Sequence, residues 1–237
     1  MAFPAPTQFF LLPLILTIQR MWLNLSAIFR RLSHDPNVRS IIMTGAGDRA
    51  FTAGLDVKVR RLRTLCFYLR NRLIFSLKAA SQGTLSQSSA DPARAATALR
   101  RHIFEFQDCI TALEKCEKPI IVVLHGTSYG LAIDLSLACD IRICAVDTRF
   151  SVKEVDIGLA ADIGTLSRLP KSIGNFSWVK DVCLSARVFD AEEAKKVGLV
   201  SGVYGNKEKA VSQVQFAPSR ASLISFNTHW VGLAQLY

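Results

Sequence analysis

The sequence predicts an α/β fold, on three observations. Stretches with helical apolar spacing alternate with short apolar runs, several of these runs end at glycine turns, and the 237-residue chain, half of it hydrophobic, is long enough to bury a large core. One main domain is expected.

The first helix is expected in MWLNLSAIFRRLSH, where Leu23, Ile28, Phe29 and Leu32 recur at helical spacing until His34-Asp35-Pro36 breaks the pattern. A strand follows from Arg39 to Thr44. Its run Ile41-Ile42-Met43 fits burial on both faces of a sheet, and Gly45-Ala46-Gly47 ends it. AFTAGLDVK then reads as a loop. Residues 79–96, AASQGTLSQSSADPARAA, lack an apolar period and read as an exposed loop or lid. From Thr97 to Cys116 the spacing of Leu99, Ile103, Phe106, Ile110 and Leu113 restores a helix, which Lys118-Pro119 stops before the strand IIVVLH. His125-Gly126 begins a turn, Gly130 to Asp134 opens a helix running toward Cys139, and IRICA returns as a strand. Asp190 before AEEAKKVG marks a short helix by its N-cap, early acids, late lysines and Gly198.

Composition narrows the functional classes. Cys66, Cys109, Cys116, Cys139, Cys144 and Cys183 form no CxxC pair and the four histidines do not cluster near them, so neither a zinc site nor a disulfide framework is signalled. The net charge of +10 is concentrated: Arg60, Arg61, Arg63, Arg70, Arg72 and Lys78 share a segment without an acid, leaving +4 on the rest. That distribution argues against a nucleic-acid partner. FFLLPLILTI at residues 9–18 is too short to span a bilayer and is interrupted by Pro13, so no stable membrane insertion is expected. It also lacks a basic region and a cleavage site, and reads as a packed or disordered extension.

The chemistry is carried by Asp134, Glu154 and Asp162, spaced by 20 and 8 residues in Gly-rich and apolar sequence. An acid flanked by Gly130, Leu131, Ala132, Ile133 and Leu135 is not a typical solvated charge, and burial raises a carboxyl pKa toward the range useful for proton transfer. Structural readings stand beside this one. Asp134 at a helix start equally serves as a cap, Glu154 beside Lys153 as a surface ion pair, and Asp162 as the cap of a helix containing Leu166 and Leu169. His125 reads as a strand-end packing residue and Lys58 as a solvated lysine.

Three motifs, AFTAGLD, HGTSYGLAID and VKEVDIGLAADIGTLSRLP, together resemble the enoyl-CoA hydratase/isomerase (crotonase) superfamily, and within it the dienoyl-CoA isomerases. The resemblance covers roughly Met21 to Lys58 and Ala79 to Val211. It implies a crotonase-like spiral of repeated ββα units, an acyl-CoA thioester substrate, and isomerisation of 3,5-dienoyl-CoA to 2,4-dienoyl-CoA in fatty-acid β-oxidation. It further implies that the backbone N–H groups of Leu55 and Leu131 hold the thioester oxygen, with Ala53, Gly54, Asp56 and Gly130 against the substrate. Glu154 would remove a proton from C2, Asp162 return one at C6, and Asp134 assist without touching substrate. Coenzyme A enters as part of the substrate; no other cofactor and no metal is implied. A homo-oligomer, trimer or hexamer, and a peroxisomal or else mitochondrial address are also implied. A hydratase typically has glutamates at the first two acid positions and glycine at the third, so Asp134 and Asp162 favour the isomerase.

The chain departs from the pattern at three places. Residues 1–20 form an atypical extension where relatives carry two strands, 59–78 is an atypical basic insertion within the 21–211 domain, and 212–237 is a divergent tail. The expectation is therefore a fold with incomplete N- and C-terminal parts, arising from an altered gene product such as a retained intron. No Ser-Lys-Leu-type address closes the sequence. Three alternatives to the isomerase stay open: a hydratase-like enzyme, a relative that binds acyl-CoA without turnover, and a membrane- or nucleic-acid-associated protein using residues 60–78.

Overall fold

A computed structural model describes residues 8–10, 18–52, 54, 92–215 and 221–226. Ala53, Leu55, Asp56, Lys58 and the 59–78 insertion lie outside the described residues.

Among the described residues, ten strands fall into two sheets. The larger contains β1 (Gln8–Phe10), β10 (Ala221–Phe226), β2 (Ser40–Gly45), β4 (Ile120–Leu124), β6 (Ile141–Ala145) and β9 (Gly202–Tyr204), in that order and all parallel. The smaller contains β3 (Ala50–Thr52), β5 (Thr127–Tyr129), β7 (Arg149–Ser151) and β8 (Phe189–Asp190), of which only the last runs antiparallel. The chain repeatedly places one strand in the large sheet and the next in the small one: β2 then β3, β4 then β5, β6 then β7. Each step advances by one position in both sheets, which is the expected spiral.

Helices complete the repeats: α1 (Ile18–His34), α2 (Pro92–Glu114), α3 (Leu131–Leu137), α4 (Thr165–Ser172), α5 (Phe176–Ser185), α6 (Ala191–Lys196) and α7 (Lys207–Gln215). Strand β2 is buried along its whole length because both faces of the large sheet are covered. Ile41, Met43, Ile120, Val122 and Leu124 face the main core with Phe29, Leu32, Ile110 and Leu113 of α1 and α2. The alternate residues Ile42, Ile121, Val123 and Ile143 pack with Ala210 and Val214 of α7. The period of two in each strand thus serves two cores.

One expectation is corrected. Helix α2 begins at Pro92, so the last part of the 79–96 segment is helical: proline suits a first turn and Ala93 to Ala96 are good helix formers. The N-terminal extension supplies β1 and the C-terminal tail supplies β10, which sits between β1 and β2 with Leu223 opposite Ile42. The β-prone run Leu223-Ile224-Ser225-Phe226 explains the strand.

The turns joining β2 to β3 and β4 to β5 lock together. His125, fully buried after β4, is hydrogen-bonded through Nε2 to the Gly47 carbonyl at 2.6 Å, and the Phe51 N–H donates to the His125 carbonyl at 3.0 Å. Gly126 has φ +51, and a Cβ there would run into the Arg49 carbonyl, so only glycine fits. His125 is therefore a packing residue, as read from the sequence, with a definite partner.

Candidate active site

The site forms where the small sheet's strands end. Parallel pairing of β3 with β5 sets Thr52 opposite Ser128, so Gly54 and Gly130, each two residues beyond, lie close together. Gly54 (φ +85) follows β3, and its N–H donates to Thr52 Oγ1 at 3.2 Å. Gly130 (φ +55) follows β5, and its N–H donates to the Ser151 carbonyl of β7 at 3.0 Å. A Cβ on Gly54 would lie 3.4 Å from the Tyr129 carbonyl oxygen and 3.6 Å from the Leu131 nitrogen. Two glycine turns thus approach within van der Waals distance. Leu131 opens α3, so its N–H is one of the amides a helix leaves without an internal acceptor.

Glu154 enters from β7, immediately before a single 3-10 turn, Val155–Ile157. Its carbonyl accepts hydrogen bonds from the Ile157 and Leu159 N–H groups, which fix the turn. Its Oε1 sits over Gly130, 3.1 Å from where a Cβ on that glycine would be. Its Oε2 is buried and has no hydrogen-bond partner among the described residues. Burial pushes the carboxyl up to about 7, with the charges of Asp134 and Asp162 adding to the effect. The sequence alternative for Glu154, an ion pair with Lys153, does not form: Lys153 bonds to Asp156 Oδ2 and the Ala186 carbonyl, both at 2.8 Å.

Asp134 is the buried member of the three, 2% exposed in α3. It caps a helix, but not its own. Its Oδ1 accepts the Thr165 N–H at 2.7 Å and the Thr165 hydroxyl at 2.8 Å, at the start of α4. Burial raises its carboxyl to about 6, and both Thr165 hydrogen bonds and the Arg168 charge oppose the rise. Asp162, read as that helix's cap, does not fill the role. Gly164 occupies the cap position without a side-chain bond. The Asp162 side chain is exposed, and its carbonyl accepts from Gln107 Nε2 of α2 at 2.8 Å.

The structure therefore brings Gly54, Gly130, Leu131, Asp134 and Glu154 together, with Asp162 within electrostatic reach of both other acids. Ala53, Leu55 and Asp56 lie outside the described residues. Sequence reasoning missed Thr165, Gln107 and Cys183. The Cys183 thiol of α5 is pushed up to about 11, by burial first and then by the Glu154 and Asp134 charges, which places it beside the acids. No local pattern marks these three, because each is tied to a partner distant in the chain. Arg168 fastens α4 to α2 through Glu114 Oε2 at 2.7 Å and Thr111 Oγ1 at 3.0 Å.

Such an arrangement offers the Leu131 backbone N–H at a helix start, a partly buried carboxylate poised to take a proton near neutrality, and a second, exposed acid. Among the described residues no group of three His, Cys, Asp or Glu side chains is placed to hold a metal ion, and no helix is long and apolar enough to cross a membrane.

Comparison with known proteins agrees with the geometry. Residues 84–222 match the family described as enoyl-CoA hydratase/isomerase. The chain is 41% identical over 187 residues to the mitochondrial Delta(3,5)-Delta(2,4)-dienoyl-CoA isomerase of Mus musculus, covering 79% of this chain and 51% of that protein. It is 41% identical over 178 residues to the peroxisomal Delta(3,5)-Delta(2,4)-dienoyl-CoA isomerase of Arabidopsis thaliana, covering 75% and 56% respectively. A crotonyl-CoA hydratase from Syntrophomonas wolfei is 30% identical over 177 residues, covering 75% of this chain and 56% of the hydratase. The chain spans about half the length of the curated relatives it matches. Among solved structures, the enoyl-CoA hydratase of Bacillus anthracis superposes with a TM-score of 0.63 at 25% identity, covering 85% of this chain and 66% of the other.

Proposed function

This chain belongs to the enoyl-CoA hydratase/isomerase family, and on that premise we propose that it converts 3,5-dienoyl-CoA to 2,4-dienoyl-CoA in fatty-acid β-oxidation. The observation that carries the reading is Glu154: a carboxylate raised to about 7, with a buried oxygen lacking a partner, set over the Gly130 turn.

In this reading the thioester oxygen accepts hydrogen bonds from the Leu55 and Leu131 N–H groups, while Ala53, Gly54, Asp56 and Gly130 line its approach. Glu154 takes a proton from C2. The resulting charge delocalises over C2, C4, C6 and the thioester oxygen, where the two N–H donors stabilise it. Asp162 returns a proton at C6, leaving double bonds at C2 and C4. Two acids are required because the two carbons are too far apart for one carboxylate to serve both. Asp134 contributes charge and position to Glu154 without touching substrate. The thioester activates its own α-carbon, so coenzyme A, carried as part of the substrate, is the only cofactor the reading needs.

The reading includes a homo-oligomer, trimer or hexamer, which sedimentation of the purified chain tests. It also includes a peroxisomal address with the mitochondrion as alternative, since relatives named for each organelle match the chain. The 30% identity to a crotonyl-CoA hydratase supports a second reading, hydration of a 2-enoyl-CoA. Asp134 and Asp162, where a hydratase typically has Glu and Gly, rank it below the first.

Ultraviolet absorbance decides between them. Folded protein mixed with a 3,5-dienoyl-CoA should generate the conjugated 2,4-dienoyl thioester. Consumption of a 2-enoyl-CoA instead would assign the hydratase, and thioester binding with neither change would assign a non-catalytic relative.

A further inference from the structure

Asp134 is built into the molecule differently from the other two acids. It is buried, and Oδ1 receives both donors of a single residue, the N–H and the hydroxyl of Thr165, 31 positions along the chain. That pair joins the helix that begins at the Gly130–Leu131 turn to the segment that carries Asp162. Gly164 is part of the same contact: a Cβ there would stand 3.5 Å from Asp134 Oδ1, so the threonine reaches the carboxylate past a bare backbone.

A buried carboxylate accepting two short hydrogen bonds is held in its charged form, since both donors favour the anion that burial disfavours. The groups facing Asp134 are Thr165 and Arg168 of α4, Asp162 before that helix, Glu154 of the 3-10 turn, and Cys183 of α5. Arg168 is itself engaged with Glu114 and Thr111. Asp162 is exposed and Cys183 is uncharged near neutrality. Thr165 is therefore the local group whose removal changes the state of Asp134 without adding or deleting a charge.

We infer that Thr165 is a positioning residue for the proton-abstracting base: by clamping Asp134 Oδ1 with its hydroxyl and N–H, it keeps that buried carboxylate charged and oriented within electrostatic reach of Glu154. The consequence runs through Coulomb repulsion. A charged Asp134 makes Glu154 hold its proton more strongly, and thus makes Glu154 a stronger base near neutral pH. Without the hydroxyl, Asp134 keeps its proton to higher pH, the repulsion weakens, and Glu154 ionises earlier as a weaker base. The inference rests on the isomerase reading for its purpose, but the clamp can be read without substrate.

The experiment is a carbon-13 carboxyl NMR titration of the folded protein, with Glu154 assigned by Glu154→Gln, in wild type, Thr165→Val and Thr165→Ser. Thr165→Val should move the Glu154 midpoint down by roughly one pH unit, and Thr165→Ser, which keeps the hydroxyl, should leave it near the wild-type value. Should Thr165→Val fail to fold, Thr165→Ala, which only removes atoms, gives the same reading. An unmoved midpoint in a folded hydroxyl-free variant, or equal shifts in the Ser and Val variants, overturns the inference while leaving the isomerase reading intact. A shifted midpoint in a protein inactive on 3,5-dienoyl-CoA upholds the clamp and counts against the isomerase.

Discussion

Glu154 combines features that pull against each other, and the balance sets its pH behaviour. Burial and two neighbouring acids raise its carboxyl from an ordinary 4.5 to about 7. Activity that needs the carboxylate should therefore rise with pH through about 7 in kcat/KM, and Glu154→Gln should cost about 10²–10⁴-fold. Stability runs the other way. A carboxyl whose folded pKa lies above its unfolded value contributes stability that is complete below about 4.5 and is lost as pH rises through about 7. Glu154→Gln should thus be more stable than wild type at pH 8, on the order of 2 kcal/mol, and show no such advantage at pH 4; thermal melts at the two pH values check this. Gly130→Ala tests the neighbouring turn. Its φ of +55 is strained for any side chain, and its Cβ would press on Glu154 Oε1 at 3.1 Å. Destabilisation of about 1–3 kcal/mol is expected, together with loss of turnover, measured by denaturant melts and the absorbance assay.

At the scale of elements, helices held by local signals were legible and those held by distant partners were not. Helix α6 is written into its own sequence: Asp190 accepts the Glu193 N–H at 2.9 Å, as its position before AEEAKKVG predicts. Asp190→Ala should cost about 1 kcal/mol in a urea melt, with little from the exposed Arg149 contact at 3.8 Å. Helix α4 shows the opposite. Asp162 stands where a local rule puts a cap, yet Asp134 supplies the acceptor from another helix, a pairing no window of sequence reveals. The strands β2, β4 and β6 were readable because their apolar runs face two cores at once. Strands β1 and β10 were not, since each lies in a segment whose composition departs from the motifs around it, and pairing across the chain decides them.

For the whole molecule, the spiral follows from one repeated step between two sheets, and that step is why motifs distant in sequence converge. Strands β3, β5 and β7 lie side by side in the small sheet, so the residues that follow them, Gly54, Gly130 and Glu154, arrive at one place. The motif order in the sequence made this convergence readable before any contact was known. What it could not supply was the contrast in exposure among the three acids, because burial of Asp134, partial burial of Glu154 and exposure of Asp162 arise only when α3, α4 and α5 pack. The roles we propose for the two outer acids, proton removal from C2 by Glu154 and proton delivery to C6 by Asp162, are open to direct test. The most direct test incubates the folded chain with 3,5-dienoyl-CoA in deuterium oxide and follows label at C2 and C6 by mass spectrometry and NMR. Asp162→Asn should still exchange deuterium into C2 while failing to form the 2,4-isomer, and Glu154→Gln should do neither. Isomer formation by Glu154→Gln at the wild-type rate, with the fold intact, would contradict the claim.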